Sequence, residues 1–460
     1  MYLEDTIVAP ATPPGRGAVA IVRLSGPKAI EIARKLWHPR HKSARIIARR
    51  LHLGEISDPQ TGKIVDRAMC VLMPGPQSLT GENIAELHCH GGAYLVRKIV
   101  TLAAAEGARI AQPGEFSRRA FLNGRIDLTE AEAIADLIEA RDAGALNQSV
   151  VHLVGALAAR VKSLRQQVIS IRAHLEAEID FSEEEIDLPS REAIAAELLA
   201  LNDNVSALHQ SFARGRIIRE GARAAIIGKP NVGKSSILNL LLGVERAIVT
   251  GIPGTTRDLI EESVDLGPYS LVLIDTAGIR DSSEEVEQIG IERARATAEH
   301  ADLLIAVFDS SRSLDSEDIA IIRLAQGRKG IGLLNKHDLA QRISVGDLRG
   351  QGLTLPVLNF CAISGDGLNQ CREALVGEIE EMAGGPVIDE VVISRERHRN
   401  ALGCALEALG AALDGLRRRM PPEIVAVDIA LVAESLGSIT GEVSTEDVLD
   451  AIFCEFCIGK

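Results

Sequence analysis

The sequence predicts a multidomain protein with an α+β N-terminal domain, a discontinuous helical domain, and an α/β domain inserted between the two helical pieces. Three observations carry this prediction. Residues up to about 120 mix short β-like runs with Gly/Pro turns and a few helical windows. Two long stretches flanking the middle of the chain repeat apolar residues at steps of four and three, as one buried helix face requires. Between them the period changes to β-rich apolar runs spaced by helical segments, the pattern of a parallel sheet covered on both faces. A chain of 460 residues gives each part room for its own core.

Taken in order, residues 1–121 hold "GAVAIVRLSG", "RAMCVLMPG" and "IAELHCHGG", each a strand bounded by turn residues. Residues 122–216 form the first helical part, where Leu157, Val161, Leu164, Val168, Ile171 and Leu175 line one face. An acidic break, "FSEEEIDLPS", separates this helix from the next. Residues 217–382 carry the runs "ARAAIIG", "YSLVLIDTAG", "ADLLIAVFD", "GIGLLNK" and "LPVLNFCAIS" of the inserted domain. Residues 383–460 return to helix, with Leu402, Leu406, Leu409, Leu413 and Leu416 on one face. The helical text on the two sides is alike in kind, so one domain interrupted by an insertion is the simpler reading.

Hydrophobic residues make up 46 % and charged residues 25 %, ordinary values for a globular protein. No uninterrupted apolar run reaches the length of about 18 residues that a membrane helix needs. Glu4 and Asp5 stand where a signal peptide carries positive charge, so the expected location is cytoplasmic, with no membrane partner. Seven cysteines, an odd number in so long a chain, argue for reduced thiols rather than a disulfide framework. The net charge of −14 gives no broad basic surface for nucleic acid. The short basic clusters at Arg40 to Arg50, Arg395 to Arg399 and Arg417 to Arg419 read as solvated helix faces. An RNA substrate would need a partner for much of its grip.

The chemistry concentrates in the inserted domain. "GKPNVGKSS" (Gly228 to Ser236) fits G-x-x-x-x-G-K-[ST] between a strand and a helix. Gly228 and Gly233 let the backbone wrap phosphate, Lys234 reaches the β- and γ-phosphates, and the Ser235 hydroxyl can ligate Mg2+, with Asn231, Val232 and Ser236 as further candidate contacts. "DTAG" (Asp275, Thr276, Ala277, Gly278) follows a strand and suits the Mg2+ shell and the γ-phosphate. "NKHD", with Asn335, Lys336 and Asp338, follows another strand at the carboxyl end where ligands of open α/β sheets sit. The Asp338 carboxylate can accept two hydrogen bonds from guanine, a pattern adenine lacks. "CAIS", with Cys361, Ala362 and Ile363, can supply a backbone amide to the guanine O6. Four elements in this order describe a GTP site on a Ras-like P-loop G domain. The run Thr250, Gly251, Ile252, Pro253, Gly254, Thr255, Thr256 resembles the "PGTTRD" switch loop of bacterial GTPases whose phosphate loop reads "PNVGKS"; Thr256 would complete the Mg2+ shell. Ile279 stands where Ras-like proteins carry the water-orienting glutamine, so another group must replace it. Glu287 is a candidate, and an acidic switch helix is the competing reading of the same residue.

Together with these motifs, "DTIVAPATPPGRGAVAIVRLSG", "SLTGENIAELHCHGG", "QPGEFSRRAFLNGRIDLTEAEAIADLI" and the final "FCIGK" resemble, in order and over nearly the whole chain, the MnmE (TrmE) family of bacterial tRNA modification GTPases. The resemblance implies a GTP-hydrolysing homodimer that works with the FAD-containing protein MnmG (GidA) on tRNA. It implies addition of an aminomethyl or carboxymethylaminomethyl group to C5 of the wobble uridine, with a tetrahydrofolate derivative (5-formyl or 5,10-methylene form) as one-carbon source. The N-terminal domain would dimerise and bind folate, and the G domains would meet when GTP and K+ are bound. By the same resemblance Asn231, Thr250, Ile252 and Thr255 would hold K+, Glu287 would order the attacking water, and Arg23, Glu86, Arg125 and Lys460 would form the folate pocket. Arg125 stands where other members carry Lys, which keeps charge but not hydrogen-bond geometry.

Cys457, in the final "CIGK", fails as a prenylation site because Gly459 and Lys460 occupy positions that demand other residues. A buried thiol and a reactive thiol on a short tail remain, and the family resemblance matches Cys457 to a cysteine needed for modification. Cys454, one turn earlier, is expected to pack. "HCH" (His88, Cys89, His90) puts two histidines on one strand face, short of the three or four ligands zinc takes. The rival function is an Era- or Der-like ribosome-assembly GTPase; it would need an RNA-binding KH-type module or a second G domain, and the sequence shows neither.

Overall fold

The computed structural model describes residues 5–40, 46–180, 189–243, 262–274, 295–385, 390–454, 456 and 459. The chain divides into two compact units, residues 1–135 with 437–460, and residues 136–436. Among the described residues no helix is long and apolar enough to cross a membrane.

The first unit is built on a seven-stranded sheet. Its strands are β1 (Ile7–Pro10), β2 (Gly17–Ser25), β3 (Trp37–Pro39), β4 (His52–Ser57), β5 (Ile64–Met73), β6 (Ile84–Gly91) and β7 (Arg109–Ile110). They lie in the order β3-β4-β5-β6-β2-β1-β7. Neighbours are antiparallel except β1 and β7. The two-residue strand period sorts the faces. Ala20, Val22 and Leu24 of β2 and Ala85, Leu87 and Cys89 of β6 point into a core with helices Ala29–Leu36 and Ala93–Ala105. The alternate residues Arg23, Glu86 and His88 therefore fall on the opposite face, where Arg23 pairs directly with Glu86 across the strands.

The end of the chain joins this unit. Thr445 caps helix Glu446–Phe453 by accepting from the Val448 amide, and Glu446 and Asp447 suit the positive end of its dipole. Leu449, Ile452, Phe453 and Phe456 bury themselves with Leu128, Ala131 and Phe121. The Phe453 ring lies 6.4 Å from that of Phe121 and 5.4 Å from that of Phe456, in tilted pairs. The packing expectation for Cys454 is corrected here: its side chain is exposed and the thiol turns back to the Ala451 carbonyl. The buried positions 449, 452, 453 and 456 fix the inward face, and position 454 lies off it.

In the second unit the helical stripes bury as their period predicts. All six of Leu157, Val161, Leu164, Val168, Ile171 and Leu175 on helix Ala156–Asp180 are buried. Helix Glu396–Arg417 buries Leu402, Leu409, Leu413 and Leu416, while Leu406 is only half-buried. Ala405, Ala408 and Ala412 complete its inward face, small residues that let helix Arg191–Gln210 approach closely. Ser190 caps that second helix just after the acidic break.

The second unit also contains a six-stranded sheet in the order β13-β12-β11-β8-β10-β9. Its strands are β8 (Ala222–Gly228), β9 (Glu262–Asp265), β10 (Ser270–Leu273), β11 (Leu303–Asp309), β12 (Gly330–Asn335) and β13 (Val357–Asn359). Only the edge pair β9–β10 is antiparallel. Separate apolar cores cover the two faces, which explains the unbroken apolar runs of β11 and β12. The register sets Val307 beside Gly228 and Asp309 beside Asn335, so the ends of β8, β11 and β12 form one polar edge.

Phe453 is 2 % exposed at the centre of the aromatic cluster. Phe453→Ala should destabilise the first unit by about 3–5 kcal/mol, the usual cost of a Phe→Ala cavity. Chemical denaturation of wild type and variant measures this; a difference below about 1 kcal/mol would mean that the last helix does not depend on this cluster.

Candidate functional site

The phosphate loop leaves β8 and enters helix Lys234–Gly243, so the amides of the first helical turn point back at the loop. Gly233 sits at φ +105°, and a Cβ there would lie 2.2 Å from the Asn335 Nδ2. Only glycine fits. Asn231 is left-handed at φ +61° and exposed, a conformation Asn tolerates better than most residues. The Lys234 ammonium donates to the carbonyls of Gly228 (2.8 Å) and Lys229 (2.7 Å). Burial pushes its pKa below the ordinary lysine value. Val232 is core, while Ser235 and Ser236 stand half-buried and exposed in the first helical turn.

The residues expected from the sequence to read the base assemble at the same sheet edge. The Asn335 side chain is buried, donating to the Val232 carbonyl at 2.7 Å and accepting from the Ala362 amide at 3.0 Å. It thus joins the phosphate loop to the "CAIS" loop. The Cys361 amide donates to the Asp366 carbonyl, so the amides of Cys361 and Ala362 are both engaged within the site. Ile363 projects outward, 88 % exposed. Asp338 is exposed, and one of its oxygens accepts from the Cys361 thiol at 3.2 Å. Lys336, left-handed at φ +62°, donates to the Asp309 carboxylate at 2.7 Å. Burial works to raise the Asp309 pKa, but the bonds from Lys336 and Ser311 outweigh it and hold the group down at about 2. No nucleotide motif points to Asp309; its one sequence signal is an acidic residue closing the apolar run "LLIAVFD".

In the first unit, Arg23 donates to Glu86 at 2.8 Å, and the second Glu86 oxygen lies 3.3 Å from His88. The Arg23 guanidinium stands 5.7 Å from the Phe116 ring centre and 3.5 Å from the Gly459 carbonyl. The Arg125 stem lies against Gly81, next to Thr80, whose hydroxyl bonds Ser25 two residues along β2 from Arg23. His90 turns to Asp66 at 2.7 Å, away from the His88–Glu86 pair, and Cys89 points into the core, where burial pushes its thiol up to about 11.

A family model described as "MnmE helical domain" matches residues 128–457, and one described as "GTP-binding protein TrmE N-terminus" matches residues 6–125. A protein of Natranaerobius thermophilus named "tRNA modification GTPase MnmE" is 40 % identical over 459 residues, covering 99 % of this chain and 100 % of that protein. The protein of the same name from Syntrophotalea carbinolica is 43 % identical over 465 residues, covering 100 % of both chains. That from Alkaliphilus oremlandii is 41 % identical over 462 residues, again covering 100 % of both.

The chain belongs to the MnmE/TrmE family. As an MnmE-family chain it is multidomain, with N-terminal and helical domains matched separately. Of the residues read from its sequence, Asn231 to Ser236, Asn335, Lys336, Asp338, Cys361, Ala362, Ile363, Arg23, Glu86 and Arg125 have the placements above. Thr250 to Thr256, Asp275 to Gly278, Glu287, Cys457 and Lys460 lie outside the described residues. Glycine at position 233 lets the loop pack directly against Asn335, and Lys234 brings a cation to the loop at the start of a helix, a setting that suits an anionic ligand.

Asp338→Asn should move base preference from GTP towards xanthosine triphosphate, because the new amide accepts with its oxygen and donates with its nitrogen. Loss of charge-assisted bonds to guanine should weaken GTP binding roughly 10²-fold. Competition binding with the two nucleotides measures it, and unchanged GTP affinity would overturn the role given to Asp338.

Proposed function

We propose that this member of the tRNA modification GTPase family binds and hydrolyses GTP on its inserted domain and modifies tRNA at C5 of the wobble uridine. The modification is an aminomethyl or carboxymethylaminomethyl group, made as a homodimer with the FAD-containing MnmG and a tetrahydrofolate one-carbon donor. Ser235 and Thr256 hold Mg2+, which offsets phosphate charge when bound. Lys234 binds the β- and γ-phosphates, and Asp338 selects guanine. With Ile279 in the glutamine position, Glu287 orients the attacking water. Asn231, Thr250, Ile252 and Thr255 would hold K+, and such a cation would supply positive charge to offset the negative charge that develops on hydrolysis.

One observation carries the reading of the modification site. Gly459 sits at φ +100° where a Cβ would lie 1.9 Å from the Pro10 carbonyl oxygen, and its own carbonyl faces Arg23. Cys457 precedes it by two residues. The close approach supports delivery of that thiol to the side of the sheet bearing Arg23 and Glu86. A folate ring needs donors and acceptors along one edge and a flat neighbour; Arg23, Glu86 and Phe116 supply such groups together.

If K+ and G-domain pairing supply the stabilisation lost with glutamine, hydrolysis should run faster in K+ than in Na+ and rise with protein concentration. Initial rates in the two salts decide, and equal rates would remove Asn231 as an ion ligand.

Cys457→Ser keeps the size of the side chain but replaces a thiol of pKa about 8.5 with a hydroxyl that does not ionise near neutrality. GTP hydrolysis and dimerisation should stay near normal while wobble-uridine modification is lost. Mass analysis of tRNA nucleosides from cells carrying only the variant tests this; full modification would return Cys457 to a packing role.

A further inference from the structure

The phosphate loop contains a second lysine that the nucleotide motif leaves as x. Lys229 is 8 % exposed, and its ammonium reaches Asp315 at 2.5 Å and Asp318 at 2.8 Å. Both carboxylates belong to the start of helix Ser316–Ala325. Asp315 caps that helix by accepting from the Glu317 and Asp318 amides, and Asp318 returns a bond from the Asp315 amide. Burial alone would lower the Lys229 pKa, yet the two carboxylates raise it, so the amine stays charged.

The backbone of Lys229 does a second task. Its carbonyl is one of the two acceptors of the Lys234 ammonium. A side chain anchored at one end therefore holds the carbonyl that aims the phosphate-binding lysine. The anchor stands on the segment that follows β11, and the last residue of β11, Asp309, pairs with Lys336 of the base-reading motif. Ser310 adds bonds from its amide to the Asn335 carbonyl and from its hydroxyl to the Lys336 carbonyl. The segment 309–318 thus grips the phosphate loop at Lys229 and the base loop at Lys336.

We propose that Lys229 is a positioning residue for the nucleotide phosphates, acting through Lys234, and that the Asp315/Asp318 helix start is its anchor. The role needs both charge and reach. Methionine keeps much of the length without charge; arginine keeps the charge and can meet the same two carboxylates.

The inference rests on the nucleotide reading of this loop, and one experiment separates the two. Affinities for GTP, GDP and GMP are measured by titration for wild type, Lys229→Met, Lys229→Arg and the double variant Lys229→Met/Asp318→Leu, with a thermal melt of each. Lys229→Met should weaken GTP and GDP by about tenfold or more and GMP by much less, because Lys234 reaches the outer phosphates. Lys229→Arg should recover most of the loss. The double variant removes the unpaired buried carboxylate, so it should regain thermal stability without regaining GTP affinity. Should Lys229→Met fail to fold, the double variant carries the same comparison. Equal loss for all three nucleotides, or GTP affinity restored along with stability in the double variant, would reduce Lys229 to a structural ion pair and overturn the proposal. Wild type that binds none of the three would overturn the nucleotide reading beneath it.

Discussion

The amide of Asn335 ties the candidate nucleotide site together. It is 2 % exposed, and its two ends bond the Val232 carbonyl in the phosphate loop and the Ala362 amide in the base loop. A buried amide satisfied at both ends is stable, whereas losing either partner strands a desolvated polar group at about 1–3 kcal/mol. The position of Gly233 follows from this. Any side chain there would strike the same Asn335 nitrogen, so the loop can close on the amide only as glycine. Two loops far apart in sequence are thereby held at a fixed separation, which is what a ligand with phosphates at one end and a base at the other requires.

The sheet explains why polar groups gather at this edge. Along β11 and β12 every residue is buried, and the strands carry no polar side chain until their last positions. There Asp309 and Asn335 emerge as register partners, and Val307 sits beside Gly228. Parallel strands point all their carboxyl ends the same way, and the loops that follow share one rim. Lys336 and Asp309 neutralise each other at that rim, while Lys234 is left with backbone carbonyls and a lowered pKa.

In the first unit a different constraint operates. Arg119 is only 5 % exposed and is surrounded by Asp5, Glu82 and Glu115. Such a cation persists because several carboxylates share it; burial works against the charged forms of Asp5 and Glu115, but the arginines nearby hold both carboxyls below their ordinary values. This network fixes helix Glu115–Leu122, and the same region receives Phe453 and Phe456 from the end of the chain. Apolar contact brings the tail to the unit, and the close fit of Gly459 on Pro10 directs it towards Arg23.

Local patterns in the sequence determined much of this protein. A four-three apolar step forces Leu157 to Leu175 to one helix face, and unbroken apolar runs force β11 and β12 to the sheet centre, because each follows from the repeat of a single element. The glycine and lysine of the phosphate loop were legible for a similar reason: their chemistry is set by immediate neighbours. Three things depended on distance in space instead. Leu406 is only half-buried while Ala405, Ala408 and Ala412 are buried on the same helix, and Cys454 turns outward because Phe453 and Phe456 claim the interior. The pairing of Lys229 with Asp318 and of Lys336 with Asp309 joins residues whose sequence neighbourhoods contain no shared motif. Ion pairs and packing priorities are settled between elements, so only the tertiary structure could decide them.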